Sequence, residues 1–134
     1  MKKLLFIPLL IIACQTSKNE EVDLAALKDE VLEIHDEVMP KMGDLRRARK
    51  ELMLLADSIQ TIDSARAAEL LIASDSIDMA NEGMMNWMRN YEPTFEGTDE
   101  EILEYLTNQK EAIVEVKIKM ITSLEIGKKL LEGN

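Results

Sequence analysis

Apolar residues recur along this chain in steps of three and four, not in steps of two. Leu24, Val31, Val38, Leu45, Leu52 and Ile59 lie seven apart, and so do Leu27, Ile34, Lys41, Ala48, Leu55 and Ile62. Interleaved, the two sets make a heptad seam, the signature of a helix packed along one face. Lys41 is the only charged residue in that seam. The pattern predicts one long helix from about Glu21 to Gln60. Pro40 falls inside it. Proline has no amide hydrogen, and its ring crowds the carbonyl four residues back, here Asp36, so a kink is expected. Val38 and Leu45 keep their phase across the proline, which favours one kinked helix over two separate ones, and Gly43 eases the distortion.

The segment "QTIDS", residues 60 to 64, reads as a turn, with Ser64 or Asp63 able to cap the next helix. That helix carries Leu70, Ala73, Ile77, Ala80, Met84, Trp87 and Tyr91, again in steps of three and four. Pro93 and Gly97 mark a loop at "EPTFEGT", residues 92 to 98. Thr98 and Glu101 then form a capping box for a third helix, which turns Ile102, Leu106, Ile113, Val116, Met120, Leu124 and Leu131 inward. Gly133 is its C-terminal cap. Short connections make neighbouring helices antiparallel. The expected fold is therefore all-α, an antiparallel up-down-up three-helix bundle over residues 21–134 with a Pro-kinked long first helix. An extended coiled-coil homo-oligomer is the competing reading; the two turns favour the bundle.

The N-terminus has a different grammar. In "MKKLLFIPLLIIAC", Lys2 and Lys3 precede a short apolar run from Leu4 to Ile12. A helix needs about 20 apolar residues to span a bilayer, so this run suits a signal peptide instead. Its end, "IIAC", resembles the lipobox of bacterial lipoproteins. That resemblance implies a signal peptide over residues 1–13, cleavage before Cys14, and acylation of Cys14 on its sulfur and new amino group. Cys14 is the only cysteine, so no intramolecular disulfide exists for it to join. Each buried methylene of an acyl chain contributes about 0.8 kcal/mol, and two or more chains anchor stably. Residues 14–20 would be the acylated cysteine and a polar tether. Gln15, where a retention aspartate would stand in the enterobacterial rule, points to the outer rather than the inner membrane.

Charge narrows the partners. The chain holds 16 basic and 26 acidic residues; without Lys2 and Lys3 the count is 14 against 26, a net charge of −12. Phosphates are repelled by such a surface, which argues against nucleic acid as a partner and against direct adhesion to anionic headgroups. The lipid would hold the membrane, and a protein partner in the envelope is left open.

Candidate chemistry gathers in one layer. When the first helix folds back on the second about residues 61 and 62, His35 falls level with residue 89, Met39 with 85 and Met42 with 82. Met84, Met85, Met88 and Trp87 then share the height of the chain's single histidine. His35, Met39 and Met42 follow i, i+4, i+7, one stripe beside the seam. No carboxylate is expected to pair with His35 locally. Thioether sulfur and imidazole nitrogen suit Cu(I), so His35, Met39, Met42, Met84 and Met88 are candidate metal ligands. The plainer reading is that methionine fills the irregular gaps beside a kink, and then no cofactor is needed. One histidine and no spare thiol leave no Cys–His pair, and neither a phosphate-binding glycine loop nor a repeated Glu-x-x-His pair occurs. The chain is not expected to be an enzyme.

At "IHDEVMPKMGDL" and "MMNWMRNYEP" the chain resembles small bacterial lipoproteins of unknown function that carry the label "viral A-type inclusion protein". The resemblance implies a helical, membrane-attached protein and transfers no catalytic residue.

Overall fold

The computed structural model of the chain describes residues 23–133. All its regular structure is helical: α1 (Leu24–Val38), α2 (Met42–Ile59), α3 (Ser64–Asn90) and α4 (Asp99–Glu132), with one 3₁₀ turn, Met39–Lys41, between α1 and α2. The helices pack against one another around one core. The segments read as signal peptide (1–13) and as acylated Cys14 with its tether (14–20) lie outside the described residues.

The helix boundaries follow from their caps. Asp23 Oδ1 accepts from the amides of Ala25 and Ala26 at 3.0 and 3.1 Å, so α1 starts at Leu24, three residues later than the heptads alone suggested. Asp63, not Ser64, caps α3 by accepting from Arg66 N–H at 2.9 Å. Thr98 and Glu101 close the capping box of α4 from both sides. At the other end, Gly133 N–H reaches the carbonyl of Lys129 at 3.3 Å.

The stretch from Glu21 to Gln60 is not one uninterrupted α-helix. Pro40 brings no amide to the ladder, and the chain spends Met39–Lys41 in a tighter turn, in which Met42 N–H bonds to Met39 O. The heptad phase survives nonetheless. Val31, Val38, Leu45 and Leu52 are fully buried on both sides of the turn. Ile62 departs from the pattern: it sits in the turn before α3 and is 85% exposed. Once Gln60 ends the helix, seven-residue spacing no longer fixes direction.

In α3 and α4 most of the expected inward residues are buried; Tyr91, Val116 and Leu131 are partly buried against the core, and Ile102 is partly buried outside it. Leu70, Ile77, Met84, Ile113 and Met120 have no exposed surface. Small residues let the helices approach closely: Ala73, Ser74 and Ala80 on α3, and Gly127 on α4, are all buried. A Cβ built on Gly127 would meet Ile77 Cδ1 at 2.9 Å and Leu52 Cδ1 at 3.3 Å, so α2, α3 and α4 converge there without room for a side chain. Ion pairs cross the bundle outside the core. Lys110 and Lys117 of α4 hold Glu30 and Glu37 of α1, each at 2.5 Å, and Arg49 of α2 meets Asp78 of α3 at 3.1 Å. Among the described residues no helix is long and apolar enough to cross a membrane.

Candidate functional site

His35 of α1 meets the C-terminal half of α3, the end at which the histidine–methionine layer is expected. Folding back at residues 61 and 62 brings His35 onto Trp87, as the height argument anticipates: the rings stack with centroids 5.6 Å apart. The stack then continues. Trp87 lies 4.8 Å from Tyr91, Tyr91 6.3 Å from Tyr105, and Tyr105 4.2 Å from Phe95. Five rings thus join α1, α3, the 91–98 loop and α4. Offset aromatic pairs contribute about 0.5–1.5 kcal/mol each beyond the area they bury. The loop is fastened to the same end: Lys28 Nζ donates to Pro93 O at 2.5 Å, and Glu92 N–H donates to the Tyr105 hydroxyl at 2.6 Å.

The sequence carried a partial signal for this stack. Trp87 and Tyr91 are four apart on one helix face, and the helix that carries Tyr105 begins just after the loop at that end. Phe95, in a loop with no periodicity, gave none. Within the stack, Trp87 Nε1 and the Tyr91 hydroxyl are shielded from solvent with no hydrogen-bond partner among the described residues. Burial pushes the Tyr91 hydroxyl's pKa above its ordinary value, with a smaller contribution from Tyr105.

His35 does have a local carboxylate. Its Nδ1 lies 2.8 Å from Asp36 Oδ1, with the histidine side chain 20% exposed. Helical neighbours at i, i+1 point about 100° apart, so spacing arguments discount them; an aspartate is short enough to bend back to the adjacent ring. The pairing reserves one ring nitrogen and leaves Nε2 as the one available to another partner.

The five candidate ligands differ in depth. Met84 is fully buried and Met42 nearly so, Met88 packs half-buried against the core, and Met39 is 36% exposed. Met84 and Met42 therefore fill the interior as methionines do in irregular gaps, while Met39 stands at the surface of the 3₁₀ turn. No group of three or more His, Cys, Asp or Glu side chains suited to a metal occurs among the described residues.

A second feature lies away from this layer and was missed in the sequence. Between α3 and α4 runs an open apolar groove of about 360 Å³, lined chiefly by Met79, Ala80, Ile118, Thr122, Ser123 and Ile126. Met79 is 74% exposed, Ile118 57% and Ile126 50%. The signal was present as apolar residues lying off the seam, at positions where a solvated face carries polar ones.

Comparison of the chain with protein-family models, with curated proteins and with solved structures gives no match.

Proposed function

We propose that this protein is a lipid-anchored helical bundle of the cell envelope that serves as a binding or structural module. The observation that carries the binding role is the open apolar groove of α3 and α4. Met79, Ile118 and Ile126 stand exposed side by side along it, off the core seam, where a partner's apolar side chains can be received. The anchor is Cys14, on the N-terminal pattern. Asp23, where the bundle begins, follows it by nine residues. At no more than about 3.6 Å per residue, the anchor lies within roughly 32 Å of the bundle. The outer membrane is the proposed location, on Gln15.

The bundle's path is proposed as up-down-up, with a bend at Pro40. Supporting it, Lys110–Glu30 and Lys117–Glu37 advance together along α4 and α1. In contrast, Arg49–Asp78 and His35–Trp87 run in opposite senses along the first helical stretch and α3. The 3₁₀ turn at Met39–Lys41 supports the bend.

The test of the anchor is metabolic labelling with an alkyne fatty acid in a bacterial host that processes lipoproteins. Label should appear on the protein, and Cys14→Ser should lose it and keep residues 1–13, because the processing site goes with the cysteine. Unlabelled protein, or label that persists in Cys14→Ser, refutes the anchor.

One observation favours a second reading, Cu(I) binding at the His35 layer. The Asp36 carboxylate lies 2.8 Å from His35 Nδ1, as a carboxylate lies against the far ring nitrogen of a metal-binding histidine. Copper titration against a chromophoric chelator tests it: binding lost in His35→Ala and in paired Met42→Leu, Met84→Leu supports the metal, and no binding above background leaves the layer as packing.

A further inference from the structure

The groove between α3 and α4 defines its own partner. On α4, Ile118, Thr122 and Ile126 form a row at i, i+4, i+8, and Val114, 36% exposed, extends it by a turn. On α3, Ile72 and Met79 lie one heptad apart and are 67% and 74% exposed. From Val114 to Ile126 the row runs about 18 Å at 1.5 Å per residue. The trough between two packed helices is the seat that a further helix occupies in a larger bundle. A helix of about 12 residues, three to four turns, matches that length.

The rims decide which helix. On α3, Asp75 and Glu82 flank Met79 at four residues before and three after it; both are exposed and neither is in an ion pair, and Glu82 also borders the α2–α3 pocket that holds Arg46 and Arg49. On α4, Glu111 stands seven residues before Ile118 and Glu125 three after Thr122, both exposed and unpaired. Lys119, the one charged side chain that lines the groove itself, is paired to Glu115 at 2.6 Å. Lys129, three residues after Ile126, is the one unpaired cation on these rims. Four free carboxylates thus stand against one free ammonium. A second copy would set the same acidic rims against themselves, and the phosphates of a lipid surface would be repelled.

We propose that the α3–α4 groove receives an amphipathic helix of a partner protein whose apolar stripe is flanked by lysine or arginine. This rests on the reading of the chain as a binding module and names that module's partner chemistry. The apolar stripe supplies area, and the basic flanks supply selection and encounter rate against the acidic rims.

The test uses the full chain in nanodiscs of zwitterionic lipid and two labelled helical peptides read by fluorescence anisotropy. The peptides share one leucine and isoleucine stripe; one carries lysine at the flanking positions and the other glutamate. The lysine peptide should bind saturably and at least about tenfold more tightly than the glutamate peptide, with the preference fading as salt rises. Met79→Gln with Ile118→Asn should weaken it about tenfold or more, at unchanged helicity. Asp75→Lys with Glu82→Lys should reverse the peptide preference without touching the apolar floor. Equal binding of both peptides, or no binding of the lysine peptide, overturns the proposal. So does a dimer that Ile118→Asn dissociates, because the occupant is then a second copy. These outcomes stand apart from the anchor: unlabelled Cys14 removes the membrane reading and leaves the peptide result intact, whereas peptide failure with Cys14 acylated removes this partner alone.

Discussion

Two glycine-to-alanine substitutions should move stability in opposite directions, although the chemical change is the same. Gly43 is the second residue of α2, is exposed, and a Cβ there meets nothing within 4 Å. Gly127 lies buried in α4, and its Cβ would stand 2.9 Å from Ile77 Cδ1 and 3.3 Å from Leu52 Cδ1. Both substitutions gain up to about 1 kcal/mol because alanine loses less backbone entropy in a helix. Only Gly127→Ala must also displace methyl groups. Ile77 and Leu52 have no exposed surface, so the methyls must move within a packed interior, and overpacking of that kind costs about 1–3 kcal/mol. In the difference between the variants the helix gain largely cancels and the packing cost remains. Gly43→Ala should therefore exceed Gly127→Ala by about 1–3 kcal/mol, or about 4 °C in Tm per kcal/mol for a domain of this size. Urea unfolding followed by circular dichroism measures it, with equal m-values as the check that only stability changed. If Gly127→Ala is as stable as Gly43→Ala, the three helices do not converge at Gly127 as described.

Other outcomes follow from particular side chains. Met84→Ala should cost about 2–5 kcal/mol because it empties a fully buried site, whereas Met79→Ala, on the exposed groove, should stay within about 0.5 kcal/mol; chemical denaturation of the pair separates core from surface. Burial raises Tyr91's folded-state pKa above its unfolded value, so the stability linked to it is present below about pH 10 and is lost as pH rises through the folded value. Tyr91→Phe, which also removes an unpartnered hydroxyl, should flatten that alkaline loss; an unchanged alkaline profile in the variant argues against burial as its cause. Glu101 has the opposite sign: the Thr98 amide at 2.8 Å and its hydroxyl at 3.1 Å hold the carboxyl below the usual range. Its contribution is present above the unfolded carboxylate value and is lost as pH falls through the folded one. Glu101→Gln should thus differ from the parent at neutral pH and converge on it in acid, as urea midpoints at the two pH values will show.

What could be read in the sequence was whatever repeats or caps. Val31, Val38, Leu45 and Leu52 declared their burial by spacing, and Thr98 with Glu101 declared a helix start through a local hydrogen-bond pattern. Long-range matching was legible only coarsely. Equal distances from the turn put His35 level with Trp87, yet nothing in the periodicity said that the rings would stack or that Phe95 would close the row. The Asp36 contact was lost because helical spacing ignores adjacent residues. The turn at Met39–Lys41 shows the limit of the heptad: phase was preserved while hydrogen bonding changed, and a hydrophobic pattern reports only phase. The α3–α4 groove was overlooked for a related reason. Ile72, Met79, Ile118 and Ile126 lie off the seam, and a search for the core passes over apolar residues that do not belong to it.

On the proposed reading, lipid on Cys14 holds the helical bundle at a membrane. The most direct measurement is the intact mass of the protein extracted from the membranes of a lipoprotein-processing bacterium, with fragmentation to locate any added mass. The expected product is a chain that begins at Cys14, lacks residues 1–13, and carries the mass of its acyl chains on that residue. A chain that keeps Lys2 and Lys3, or one that begins at Cys14 with a free thiol, would contradict it.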